Sequence, residues 1–159
     1  MKIVIADRNL EAAEETAKEL KKNGQDVRAV KIDVEDWDSQ RQGFETAVKE
    51  LGRIDYVFAV AGIFEQTWLP NRVNATTFEK PNLATFDVNG TGALYTSALA
   101  IQQFRRQQPS KYGFRGKGMF NQQSASRFWL TDLRVVIIVS SGAGFYTIPA
   151  MPIYCASKK

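Results

Sequence analysis

The chain reads as an α/β protein built on a parallel sheet, and three observations carry that expectation. Short apolar runs at 2–6, 27–32, 55–61 and 135–140 have the length and β-branched content of buried strands. Segments with apolar residues at three- and four-residue steps separate them, as helices do. Acidic or small residues follow each run, where an open α/β sheet turns into its next helix. Strands and helices alternating on this scale imply right-handed βαβ units.

Lys2-Ile3-Val4-Ile5-Ala6 opens as a strand and stops at Asp7. Leu10, Ala13, Ala17 and Leu20 then mark one face of a helix, with Asn23-Gly24 as its stop signal. Val27 to Ile32 is the second strand, ending at Asp33, and Trp37, Phe44, Ala47, Val48 and Leu51 line the next helix before Gly52. Asp55 to Ala61 is a near-continuous apolar strand. A longer helix is expected from the low eighties to about Gln107, with Val88, Leu94, Ala98, Ile101 and Phe104 as its stripe. Pro109 to Leu133 fits neither period, and a structureless stretch of that length is unusual inside a domain. The run Val135 to Ser140 closes the set.

Composition narrows the chemistry. A chain of 159 residues with 44% hydrophobic content can bury a core. With no His and Cys155 as its one Cys, it has no Ser-His-Asp or Cys-His nucleophilic site, no His-ligated zinc and no internal disulfide, so no metal site is expected. The net charge of +4 names no partner. Arg105, Arg106, Lys111, Arg115 and Lys117 are read as a solvated helix end and loop rather than a nucleic-acid patch. The lack of a secretory apolar region or an 18-residue apolar run gives the expectation of a soluble, cytoplasmic protein without membrane contact.

Tyr154 and Lys158 stand four apart near a Pro-initiated helix, and such positions share a helix face. An ammonium held beside a phenol favours its phenolate form, as proton exchange near neutral pH requires. Ser141 lies thirteen residues before Tyr154 at the carboxyl end of the last apolar run, where open α/β sheets bind ligands. The pair alone also suits an ordinary surface helix; joined to Ser141 at this spacing it becomes informative.

With these residues in place, most of the chain outside 109–133 resembles the short-chain dehydrogenase/reductase family, nicotinamide-dependent oxidoreductases with a Rossmann-type fold. The resemblance implies hydride transfer between NAD(P) and a secondary alcohol or ketone. Tyr154 would exchange the proton with the substrate oxygen, Ser141 would hydrogen-bond that oxygen, and Lys158 would assist Tyr154 and contact the nicotinamide ribose. Asn89 matches the family's helix Asn whose backbone carbonyl helps hold a water linked to the Lys. Asp7 takes the place of the acidic residue that binds the adenosine ribose, and its carboxylate repels a 2′-phosphate. Arg8 beside it could hold that phosphate; the expectation is NAD, with NADP second. Asp33-Val34 corresponds to the adenine contact. Ala61 and Gly62 end an element where Ala59 and Val60 replace the usual Asn residues. A full-length relative could form a homo-oligomer.

The family's first strand and Gly-rich turn would precede Met1, and its last strands would follow Lys159. The expected architecture is therefore a partial Rossmann-like, doubly wound parallel sheet lacking its first and last strands, in a single incomplete dinucleotide-binding domain over 1–159 with an irregular insertion at about 109–133. The strands at 2–6 and 55–61 should then flank an unpaired gap or collapse together. A truncated, catalytically silent fragment or interaction module is the alternative to an active oxidoreductase. Omitting 119–133 would join Gly118 to Arg134 at an ordinary family junction, so a retained intron is one reading of that segment.

Overall fold

The computed structural model describes residues 1–69, 74, 76–109, 135–146 and 148–159. Strand β1 (Lys2–Asp7) pairs in parallel with β2 (Asp26–Lys31), from Lys2 opposite Asp26 to Asp7 opposite Lys31. Helix α1 (Leu10–Lys22) joins them. The Asn9 side chain caps it by accepting from the Ala12 amide, and the chain turns away through Gly24 at φ 79°. Ala13 and Ala17 are its buried residues, and such small side chains let the helix lie close against its neighbours.

Helix α2 (Trp37–Leu51) starts at Asp36, whose carboxylate accepts from the amides of Asp38 and Ser39, and ends at Gly52 in the left-handed conformation. Strand β3 (Tyr56–Ala59) pairs in parallel with β4 (Val135–Ile138). Between them the long helical run divides into α3 (Ala84–Phe86), a π turn (Asp87–Thr91) and α4 (Gly92–Arg106). A 3-10 turn (Gly142–Gly144) and helix α5 (Pro152–Lys158) follow β4.

The expected elements are present, with corrections. Both β3 and β4 are shorter than the apolar runs suggested, because the chain leaves the ladder after Ala59 and Ile138 and presents the following residues to the site. The expected stripe of the long helix fails at Leu94, which is exposed. Leu94 and Phe104 both lie in α4, about 80° apart around its axis, and the core takes the Phe104 side. Val88 and Phe104 are buried as expected, and Ser97, Leu99 and Ala100 are buried beside them. Segment 119–133 lies outside the described residues.

Ala47, Ile54, Ala100, Phe104 and Val136 form one buried cluster, against which Val4, Phe44, Val48 and Val57 pack. Residues of both strand pairs thus share one core. Buried Gln40 ties α2 to it: its Nε2 donates to the carbonyls of Val34 at 2.8 Å and Gly92 at 3.0 Å, and its Oε1 accepts from the Thr96 hydroxyl at 2.8 Å. Gln107 clasps the approach to β3, accepting from the Ile54 amide and donating to the Ile54 carbonyl.

Nevertheless the two pairs are separate sheets. No Cα of β1 lies within 8 Å of a Cα of β3. Neighbouring strands sit about 4.8 Å apart, so β1 and β3 are not paired neighbours. The gap was one of the two outcomes the expected sheet order allowed. Among the described residues no helix is long and apolar enough to cross a membrane.

Candidate active site

The carboxyl end of β4 continues through Val139, Ser140 and Ser141 into the 3-10 turn. Ser141 caps that turn, its hydroxyl accepting from the Ala143 amide at 3.2 Å. Helix α5 packs on the same turn. A Cβ at Gly144 would collide with the Lys158 carbonyl, so only glycine allows this approach. The Ser140 hydroxyl donates to that carbonyl at 2.9 Å, tying the end of α5 to the end of β4.

Within α5, Lys158 Nζ lies 5.7 Å from the centroid of the Tyr154 ring, as the four-residue spacing requires. The same ammonium donates to the Val139 carbonyl at 3.3 Å. Gly62 lies alongside: a Cβ there would stand 3.5 Å from Lys158 Nζ and 3.1 Å from Asn89 Oδ1. Its missing side chain keeps the space before the ammonium open. Among the described residues, the hydroxyls of Ser141 and Tyr154 form no hydrogen bond with one another. Ala61 is exposed beside Gly62.

Asn89 sits in the π turn, 5% exposed. Its Oδ1 accepts from the Ile63 amide at 2.8 Å, and its Nδ2 donates to the Ile63 carbonyl at 2.9 Å and the Ser157 hydroxyl at 3.1 Å. The sequence reading centred on this residue's backbone carbonyl; the structure shows its side chain joining the loop after β3 to α5. Buried Thr85 repeats the device one turn earlier, donating to the Phe64 carbonyl and accepting from the Gln66 amide. That loop brings two residues the sequence reading missed. Phe64 stacks on Tyr154 at 5.2 Å with ring planes 10° apart, and Glu65 accepts hydrogen bonds from the first turn of α5. One sequence signal existed: Pro152 opens a helix with no Ser, Thr, Asp or Asn before it, which leaves the cap to come from elsewhere.

A second cluster lies at the carboxyl ends of β1 and β2. Asp7 Oδ1 accepts from the Asn9 amide at 2.8 Å, and Asp33 Oδ1 from the Glu35 amide at 3.0 Å. Arg8, Asn9, Leu10, Lys31 and Asp33 line an open depression of about 660 Å³. Val34 contributes differently. Its carbonyl is taken by Gln40 and its side chain lies where a Cβ at Gly92 would come within 2.9 Å, so it packs the loop after β2 against the start of α4.

A model of the short chain dehydrogenase family matches residues 1–111, more than half of the chain. The chain belongs to the short-chain dehydrogenase family. It is 31% identical over 170 residues to the 5′-hydroxyaverantin dehydrogenase of Dothistroma septosporum, a match covering 98% of the chain and 49% of the relative. It is 33% identical over 165 residues to the short-chain dehydrogenase srdC of Neurospora crassa, covering 98% of the chain and 54% of the relative. The crystal structure of gox2181 shares its fold, with a TM-score of 0.71 at 20% identity over 99% of this chain and 51% of that one. The chain spans about half the length of the curated relatives it matches.

Proposed function

We propose that this chain forms the catalytic part of an incomplete dinucleotide-binding domain, in an oxidoreductase that transfers a hydride between NAD(P) and a secondary alcohol or ketone. The observation that carries the reading is the Lys158 ammonium held against the Tyr154 ring and facing the open side of Gly62. Residues separated by most of the chain converge there, on a strand end and a helix, as a proton-exchange site requires. The residues fit a dinucleotide: Gly62 leaves backbone accessible beside the ammonium, and Arg8, Lys31 and Asp33 supply polar groups around the open depression at the ends of β1 and β2.

A bound nicotinamide would supply the hydride chemistry. Tyr154 exchanges the proton with the substrate oxygen, and Ser141 hydrogen-bonds the same oxygen. Lys158 stabilises negative charge on the phenol oxygen and contacts the nicotinamide ribose. Asn89 holds the Gly62–Ile63 backbone and Ser157 in place. Asp7, oriented by the Asn9 amide, accepts from the adenosine ribose and favours NAD over NADP through repulsion of a 2′-phosphate; Arg8 moderates that preference. Asp33 meets the adenine with Val34 behind it, while Ala61 and Gly62 line the nicotinamide side.

In a chimera supplying the remaining half from a relative, NAD-dependent oxidation of secondary alcohols is the expected activity. Tyr154→Phe should lower its turnover at least about 100-fold, the scale of a lost general acid–base group. Undiminished turnover of that variant would overturn the site assignment.

A further inference from the structure

The first turn of α5 lacks a local cap. Met151 precedes it without a side-chain hydrogen bond, and Pro152 has no N–H to satisfy. The Cys155 amide already reaches the Met151 carbonyl at 3.0 Å. The intervening amides, Ile153 and Tyr154, donate to the two oxygens of one carboxylate, that of Glu65, at 3.3 Å and 2.6 Å. A carboxylate at a helix N-terminus is favoured by both charge and hydrogen bonding.

We infer that Glu65, with Phe64, is a positioning residue for Tyr154. The inference rests on the reading of Tyr154 as the proton-exchanging group. Three features make the arrangement more than a distant helix cap. The carboxylate grips the backbone of Tyr154 itself, at the shorter of its two bonds. The preceding residue, Phe64, lies flat against the Tyr154 ring and holds the other end of the same side chain. The loop that carries both is clamped by Asn89 through Ile63 and by Thr85 through Phe64 and Gln66. Backbone and ring of Tyr154 are thus referenced to the π turn and to α3 as well as to α5. Since proton transfer demands hydrogen-bond reach, displacement of the phenol by about 1 Å is enough to cost activity.

The test uses the 159-residue chain with ¹⁵N amides and ¹³C-labelled Tyr rings, the Tyr154 signals being assigned with Tyr154→Phe. Glu65→Ala should speed amide exchange at Ile153 and Tyr154 by at least about fivefold, the ratio corresponding to a typical lost N-cap. It should also shift the Tyr154 ring signal, with amides of α1 and α2 unchanged. Glu65→Gln keeps the volume and one carbonyl acceptor, so it should lose protection at one amide only and retain the fold. Phe64→Leu should move the ring signal and leave both amides protected. Unchanged amide exchange and ring signal in Glu65→Ala and Glu65→Gln would overturn the inference. In the active chimera, Glu65→Gln should lower kcat while KM holds. Full turnover by Tyr154→Phe would instead overturn the assignment of Tyr154 as the proton-exchanging group, and the two failures are read on different variants.

Discussion

The β1–β2 pair and the β3–β4 pair are both parallel ladders beside a cluster of polar residues, yet they are secured in different ways. The first runs over six residue pairs with one helix between its strands, and its helices are capped by the residues immediately before them, Asn9 and Asp36. Beside it Arg41 pairs with Asp38 and Glu45 within one turn of α2 on either side. The second runs over four pairs, from Tyr56 opposite Val135 to Ala59 opposite Ile138. Its surroundings are fastened by side chains reaching across the sequence: Asn89 to Ile63 and Ser157, Thr85 to Phe64, Glu65 to Tyr154 and Gln107 to Ile54. The lesson is that the polar cluster at the ends of β1 and β2 rests on bonds within a few residues, whereas bringing the Tyr154 ring against the loop after β3 takes long-range bonds. Such bonds bring loop-closure costs that local ones avoid.

That contrast can be broken at its shared base. Phe104 is fully buried in the one cluster that touches both pairs, so Phe104→Ala should cost about 3–5 kcal/mol and destabilise both together, measured by urea unfolding with probes in each. Separate transitions would mean that the pairs do not share a core. A narrower effect is expected of Asn89→Ala. Losing its three bonds should cost about 1–3 kcal/mol and raise amide exchange around Ile63 and α5 while β1 and β2 stay protected. Equal exchange gains in both pairs would erase the distinction. The smallest effect is that of Asp36→Ala, which removes a two-amide cap and should cost about 1 kcal/mol, with thermal unfolding as the measurement. Its exchange signature should stay within α2.

The same contrast explains what the sequence revealed. Strand positions, the apolar faces of α1 and α2, and the stops at Gly24 and Gly52 follow from local chemistry, and so they were legible. Tyr154 and Lys158 were visible because a helix brings residues four apart together. Glu65 and Thr85 were not, because nothing in the residues around 63–66 announces a partner more than 80 positions away, as Glu65 has in Tyr154. Leu94 misled for another reason: three- and four-residue steps do not return to the same angle, and over ten residues they carried the stripe about 80° around α4 from Phe104 to Leu94. The packing role of Val34 was hidden because it depends on Gly92 approaching from another element.

The π turn has a consequence for how one continuous helical run serves two masters. Each residue advances an α-helix by about 100°, so an inserted residue rotates everything beyond it by that angle. Before and within the turn, Thr85 and Asn89 address the loop that holds Phe64 and Glu65; after it, Ala100 and Phe104 address the core beneath the strands. The extra residue acts as a gear between these two directions. A one-residue deletion within Asp87–Thr91 would mesh the helix into a single phase, and α4 could then keep its grip on the core only by swinging Thr85 away from the loop.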